Sequence, residues 1–400
     1  MFCCLTLRHP FGNSQANSQI KFHGVDPLSL LHSWQKGNRW PVFTPPAAGL
    51  FRRYRGRLFH RRSHKTELNE RHGHVLGLKN INISMPGGDI QVIMGLSGSG
   101  KSTLIRHINR LIEPSAGQII VGGQDVVKMP LDDLRQFRRH KTAMVFQKFA
   151  LLPHRNVLEN TVYGMEIQGV SRQRQLESAT HWLERVGLKN FETKYPNQLS
   201  GGMQQRVGLA RALANDAPIL LMDEAFSALD PLIRVDMQSI LLELQKEIKK
   251  TIVFITHDLD EALRLGDRIA VLRDGEVIQQ GTGQEIVLRP VDEYIARFVR
   301  EVNRGAVLSV SAVMQELTEP VETGAARICG DASLEEALGF LNRENAQHAL
   351  VVDSKSRPIG LLSMRSLISA IVNPSPGNAS NKASHDTSNP LPLAQTSRNS

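Results

Sequence analysis

Residues 95–102, Gly-Leu-Ser-Gly-Ser-Gly-Lys-Ser, fit the Gly-x-x-x-x-Gly-Lys-Ser phosphate-binding loop, and their flanks leave few folds open. Before the loop, Ile90-Gln91-Val92-Ile93-Met94 is a short apolar run that reads as a buried strand. After it, Thr103-Leu104-Ile105-Arg106-His107-Ile108 begins a helix whose N-terminal dipole faces an anion. Strand, glycine-rich turn and helix together define an α/β nucleotide site rather than a chance run of Gly and Ser. Gly95, Gly98 and Gly100 let backbone N–H groups turn toward phosphate oxygens with no Cβ in the way. Leu96, Ser97, Ser99 and Thr103 complete that cradle. Lys101 brings a mobile positive charge to the β and γ phosphates, and the Ser102 hydroxyl is placed to ligate Mg²⁺.

In an open parallel sheet, ligands gather at the carboxyl ends of the strands. Three further apolar runs end in polar residues of interest. Thr142-Ala143-Met144-Val145-Phe146 delivers Gln147, Ile219-Leu220-Leu221-Met222 delivers Asp223 and Glu224, and Ile252-Val253-Phe254-Ile255-Thr256 delivers His257. Asp223 is placed to hold Mg²⁺, and Glu224 to orient and polarise an attacking water as general base. Gln147 offers a neutral amide to the metal and to that water. His257 is suited to donate a hydrogen bond to the γ-phosphate or to stabilise developing charge. Singly, each residue has a plain structural explanation. Their joint order behind a phosphate loop is what points to ATP hydrolysis.

Leu199-Ser200-Gly201-Gly202-Met203-Gln204-Gln205 supplies a second anion site. Ser200 reads as a helix N-cap, and its hydroxyl, the glycine amides and the helix dipole act together. One nucleotide does not need two phosphate cradles from one chain. The economical arrangement is a head-to-tail homodimer, in which Ser200 of one subunit caps the γ-phosphate held by Lys101 of the other. Ser227-Ala228-Leu229-Asp230, just past the general base, is positioned to carry contacts across that dimer.

At 400 residues the chain has room for two or three domains. Three cysteines, Cys3, Cys4 and Cys329, make neither a disulfide framework nor a metal spacing, which suits a reducing, cytosolic setting. No apolar stretch approaches the roughly 20 residues needed to span a bilayer. Arg8, His9 and Pro10 interrupt any signal-peptide core, so a membrane role must come through a partner. The net charge of +9 suggests nucleic acid until it is located. Residues 1–79 hold 13 Lys/Arg against 3 Asp/Glu, a net +10, and the remainder carries −1. The charge therefore gives no support for a nucleic-acid surface on the body. The block Arg52-Arg53-Tyr54-Arg55-Gly56-Arg57, with Arg61 and Arg62, suits contact with anionic lipid or RNA, but such a run is more often a solvated or disordered tail, and no nucleic-acid partner is expected. Residues 1–62 show no sustained period and read as disordered, 63–300 alternate strand and helix around a parallel sheet, 305–372 form a small α/β unit, and 373–400 read as a disordered tail.

With these motifs in place, the chain resembles the ATP-binding subunits of ABC transporters over roughly residues 74–300. Residues 95–102 look like Walker A, 219–223 like Walker B and 199–204 like the signature motif, with Gln147, Asp230 and His257 at the Q-, D- and H-loop positions. The resemblance implies a RecA-like P-loop core, an antiparallel β subdomain and a helical subdomain over about 148–215. It adds Gln204 and Asp230 to the nucleotide contacts. A narrower similarity, to the glycine betaine/proline importer ATPases, rests on Asn109-Arg110-Leu111-Ile112-Glu113-Pro114, on Phe149-Ala150-Leu151-Leu152-Pro153-His154 and on residues 222–234. After residue 300, a helix over 334–343, Ala349-Leu350-Val351-Val352-Asp353 and Pro358-Ile359-Gly360-Leu361-Leu362 are similar to one CBS repeat, where close relatives carry two.

Residues 1–62 match nothing in that family, which reads as a misassigned start or frame error. The resemblance implies an aromatic that stacks on adenine, which the sequence does not identify; Phe51, Tyr54 and Phe59 are candidates. The resemblance implies ATP and Mg²⁺ as ligands. It also implies a membrane permease as partner, a solute-binding protein indirectly, and a place on the cytoplasmic face of the cell membrane. The expected function is ATP-driven uptake of glycine betaine, proline or choline. A soluble ABC ATPase acting on ribosomes or DNA, an importer of another amino-acid-like solute, and a nucleotide-binding regulatory module stand as alternatives.

Overall fold

The structure, a computed structural model, describes residues 20–23, 76–316 and 326–372. Its first part runs β1 (Ile20–His23), β2 (Ser84–Met85), β3 (Ile90–Met94), α1 (Lys101–Ile108), β4 (Gln118–Val121), β5 (Gln124–Asp125), α2 (Leu131–His140) and β6 (Thr142–Val145). A helical layer follows: α3 (Val157–Gln168), α4 (Arg172–Arg185) and α5 (Gly201–Ala214). The chain then alternates β7 (Ile219–Asp223), α6 (Pro231–Ile248), β8 (Thr251–Thr256), α7 (Leu259–Leu265), β9 (Arg268–Arg273) and β10 (Glu276–Gly281). Three short helices, α8 (Gly283–Leu288), α9 (Glu293–Val299) and α10 (Arg304–Val307), lead to the C-terminal unit. That unit holds β11 (Arg327–Cys329), α11 (Leu334–Arg343), β12 (His348–Val352), β13 (Pro358–Ser363) and α12 (Met364–Val372).

The central sheet has the order β10-β9-β3-β8-β7-β6. Every residue of β3, β7 and β8 is buried, which explains why these strands read as unbroken apolar runs. β6, β7, β8, β3 and β9 pair in parallel, so the chain ends of β3, β6, β7 and β8 lie side by side on one edge. β10 returns antiparallel through Asp274 and Gly275, both at positive φ (53° and 86°), the conformation that an Asp-Gly hairpin turn favours.

Phe226 and Phe254 are fully buried behind this edge, their rings 5.5 Å apart and tilted by 46°. Trimming Phe254 to Ala is expected to cost about 3–5 kcal/mol, because the cavity opens against a close-packed sheet that cannot collapse into it. Equilibrium urea unfolding measures this loss.

A second, four-stranded sheet has the order β2-β1-β4-β5, and β1 pairs antiparallel with both β2 and β4. This corrects the reading of residues 1–62 as wholly disordered. β4 presents a row of backbone N–H and C=O groups, and Ile20–His23 satisfies them. The alternation Ile-Lys-Phe-His was present in the sequence, but four residues are too short a run to stand alone. The rest of that segment, with Phe51, Tyr54 and Phe59, lies outside the described residues, as do 63–75, 317–325 and the 373–400 tail.

The helical layer is anchored where it leaves β6. Asn156 and Glu159 form a capping box on α3, each side chain bonding the other residue's backbone N–H. Asn160, fully buried, donates through Nδ2 to the carbonyls of Leu152, Arg155 and Asn156 and accepts from Leu152 N at 2.8 Å. One amide thus satisfies a whole turn of loop backbone and ties it to α3. In the C-terminal unit, β11 and β12 run parallel and β13 antiparallel. Its buried Leu334, Ala337, Leu341 and Leu367 join the same apolar cluster as the central sheet.

Candidate nucleotide site

The phosphate loop links β3 to α1 and lies against the end of β9. A Cβ on Gly95 would stand 2.2 Å from the Leu272 carbonyl oxygen, so only glycine lets the loop start this close to the neighbouring strand. From behind, Gly275 N donates to Ser99 O at 3.0 Å, fastening the loop to the β9–β10 turn. Lys101 is 4% exposed, and its Nζ donates to the carbonyls of Gly95 (2.8 Å) and Leu96 (3.1 Å). Burial pushes its pKa down, while the nearby Glu224 and Asp223 carboxylates oppose that shift.

The sheet topology brings the remaining strand-end residues to this loop. Ser102 Oγ donates to Asp223 Oδ1 at 2.7 Å, joining the first turn of α1 to the end of β7. Glu224 follows at φ 47°, a left-handed conformation that costs a non-glycine residue energy and recurs where a side chain must be aimed. Its Oε1 lies 3.7 Å from Lys101 Nζ and its Oε2 3.9 Å from His257 Nδ1. Gln147 Nε2 donates to Glu224 Oε2 at 3.1 Å and to Ser227 Oγ at 3.3 Å. Lys101, Gln147 and His257 are therefore gathered around the Glu224 carboxylate. It is only 18% exposed.

The second motif is occupied with its own helix. Ser200 caps α5, its Oγ accepting from Met203 N at 3.3 Å, and Gln204 Nε2 turns back to the carbonyls of Pro196 and Leu199. Gly202 lets α5 pack closely on α6, since a Cβ there would meet Ile233 Cγ2 at 2.7 Å. Asp230 stands at the N-cap position of α6 without a side-chain capping bond.

Two arginines at the site had no assigned role in the sequence reading. Arg106 Nη2 reaches Asp223 Oδ2 at 3.1 Å. Its signal was present: it follows Ser102 by four residues, so both face the same carboxylate from one side of α1. Arg234 Nη2 donates to the Leu229 and Ser227 carbonyls, at 3.3 and 3.4 Å, and its Nη1 lies 3.5 Å from Asp258 Oδ2. That contact joins the segment after Glu224 to the one after His257, and no local pattern announces it.

Behind His257, Asp258 caps α7 by accepting from Glu261 N at 3.1 Å. Glu261 is itself buried and accepts from Gln238 Nε2 at 3.1 Å. Burial pushes its pKa up, helped by the Asp258 charge and opposed by bonds from Thr256 and Gln238 and by Arg234. The folded form thus holds this proton more tightly than the unfolded chain. The stabilisation it gives is complete below the ordinary value of 4.5 and drains away as pH rises through the folded pKa. Glu261→Gln is expected to flatten that decline, so the variant gains stability over the parent as pH rises. Thermal melts across pH 4–8 measure the difference.

A buried parallel sheet with a Gly-rich loop at its switch edge, and an acidic strand end beside it, defines a P-loop nucleotide-binding protein. Comparison with known proteins narrows this. The ABC transporter family profile matches residues 78–227 and the CBS domain profile residues 318–373. The glycine betaine transport ATP-binding protein OpuAA of Bacillus subtilis is 57% identical over 251 residues, 63% of this chain and 60% of that one. The glycine betaine/proline betaine transport ATP-binding protein ProV of Salmonella typhimurium is 48% identical over 307 residues, 77% of this chain and 76% of that one. Among solved structures, cbiO1 of Clostridium perfringens, part of the ABC transporter complex cbiONQ, aligns with a TM-score of 0.50. That alignment has 28% identity and covers 54% of this chain and 85% of cbiO1. The chain belongs to the ABC transporter ATP-binding subunits, in the group of the glycine betaine/proline betaine systems. ATP is the nucleotide such subunits bind.

Proposed function

We propose that this chain hydrolyses ATP to drive a membrane importer of a quaternary amine or similar compatible solute, such as glycine betaine, proline or choline. The observation that supports hydrolysis best is Glu224, aimed by its left-handed backbone and flanked by Lys101, Gln147 and His257. The solute class rests on the similarity to OpuAA and ProV.

In this reading the loop amides and the Lys101 ammonium bind the β and γ phosphates. Lys101 exchanges its two carbonyl partners for phosphate oxygens, which a charge prefers. Glu224 accepts a proton from the attacking water as its oxygen bonds to the γ-phosphorus and the bond to the β-γ bridging oxygen breaks, releasing ADP and phosphate. Gln147, already bonded to Glu224, orients that water, and His257 donates to the γ-phosphate. Ser102 Oγ and Asp223 Oδ1, 2.7 Å apart, with the Gln147 amide, form a hard oxygen set suited to Mg²⁺. The ion supplies charge neutralisation at the phosphates.

The anion site at Ser200, Gly201 and Gly202, spent on no phosphate of its own loop, supports a head-to-tail homodimer with two shared nucleotides. Asp230 lies at the same seam. No helix among the described residues is long and apolar enough to cross a bilayer. The similarity to the transport ATP-binding proteins OpuAA and ProV supports placing the chain at the cytoplasmic face of the membrane, bound to a permease that a solute-binding protein feeds. The C-terminal unit acts as a regulatory or stabilising cap.

The test is uptake of radiolabelled glycine betaine, proline and choline at high osmolarity in cells with and without the protein. Loss of one uptake, restored by the parent chain and not by Glu224→Gln, is the expected result. Unchanged uptake of all three, with redundant systems deleted, removes the solute assignment.

A further inference from the structure

One helix holds the carboxylate at the end of β7 by both of its oxygens. Asp223 is buried, and its backbone pairs with Ile255 of β8, so its place on the sheet edge is fixed. Ser102 Oγ donates to Asp223 Oδ1 at 2.7 Å, and Arg106 Nη2 donates to Asp223 Oδ2 at 3.1 Å. Both donors lie on α1, four residues apart and so on one face of the helix. A carboxylate that accepts from separate donors at its two oxygens is no longer free to turn about its Cβ–Cγ bond. Ser102 fixes one oxygen and Arg106 the other.

That restraint reaches the Ser102 hydroxyl. A hydroxyl has one proton and two lone pairs, and here the proton is committed to Asp223 Oδ1. The lone pairs of Oγ are left for a cation. Were Asp223 to turn, the proton would follow its acceptor and the lone pairs would turn with it. Arg106 prevents this, and it gives the buried carboxylate a counter-charge, without which burial is costly. A cation in this place also has an opposing effect, since it repels a divalent ion. The Arg106 side chain is 44% exposed, so water screens that repulsion. The hydrogen bond to a buried carboxylate acts at contact and is screened far less. Orientation outweighs repulsion.

We propose that Arg106 is a positioning residue for the metal that accompanies ATP. By holding Asp223 Oδ2 it fixes the carboxylate, and through Oδ1 it fixes the Ser102 hydroxyl, so that both oxygens are set before the ion arrives. The inference rests on reading Ser102 and Asp223 as the Mg²⁺ ligands.

Mn²⁺ takes the same oxygen ligands as Mg²⁺, and its electron paramagnetic resonance signal counts the free ion without any turnover. Full-length protein, in excess over a non-hydrolysable ATP analogue, is titrated with Mn²⁺, and the Kd of the analogue is measured separately in EDTA. Arg106→Met keeps most of the stem and removes the guanidinium. It is expected to weaken Mn²⁺ binding about three- to tenfold, with the analogue's Kd in EDTA within about twofold of the parent. Residues that hold a metal's ligands typically contribute roughly 10–100-fold, and the exposure of Arg106 places it below that range. Arg106→Lys keeps a counter-charge should the methionine variant fold poorly, and is expected to weaken Mn²⁺ binding by about two- to fivefold. Unchanged or tighter Mn²⁺ binding in the folded variants overturns the proposal. So does an equal loss of analogue affinity in EDTA, which a general effect on the loop would give. A parent complex that holds Mn²⁺ no more tightly than the free analogue does overturns the metal-ligand reading and this inference with it.

Discussion

Glu224→Gln is expected to reduce ATP turnover by about 10²- to 10⁴-fold, the range that a positioned general base contributes. The substitution is close to isosteric, so the Gln147 amide retains an oxygen to donate to, and the left-handed backbone at this residue is unchanged. What disappears is the capacity to take a proton from water. Chemistry stalls while ATP binding persists, so an ATP-bound dimer is expected to accumulate. Phosphate release and size-exclusion chromatography in ATP separate the two effects. Hydrolysis within about tenfold of the parent would rule out Glu224 as the base, and a stalled enzyme that stays monomeric would count against the shared site.

Lys101→Ala is expected to weaken ATP binding by roughly 10- to 100-fold, because hydrogen bonds to charged groups contribute about 1.5–3 kcal/mol each and 1.4 kcal/mol is tenfold. The loss is compounded by what remains. Glu224, 3.7 Å from the missing ammonium, and Asp223 are left facing a polyphosphate with Arg106 as the nearby counter-charge. Lys101→Met, which keeps most of the buried stem, separates lost charge from lost packing. Titration of a fluorescent ATP analogue checks both variants, and affinity equal to the parent in either would contradict the role.

Much of this site was legible in the chain. Gln147, Asp223, Glu224 and His257 each follow an apolar run, and a strand buried on both faces has to be such a run. A polar residue at the end of one is therefore a residue at the edge of the sheet. The N-cap Ser200 and the Asp274-Gly275 turn were legible for the same reason: their conformations are decided within a few residues. β1 was not. Four alternating residues become a strand only because β2 and β4, more than 60 residues later, offer unpaired backbone on both sides.

Long-range partners escaped for the same cause. Arg234 bridges the segments after Glu224 and after His257, and Arg185 Nη2 pairs with Glu247 Oε1 across more than sixty residues. Nothing in the neighbourhood of either residue encodes those distances.

The sequence by itself determined the buried strands, the helix caps, the phosphate loop and the chemical type of each strand-end residue. These follow from hydrophobic burial and from local backbone hydrogen bonding, both acting over a few residues. Only the tertiary structure decided that Ser102 meets Asp223 and that Lys101, Gln147 and His257 converge on Glu224. The order of strands in the sheet sets those meetings, and it is chosen by the packing of the whole core rather than by any segment in it.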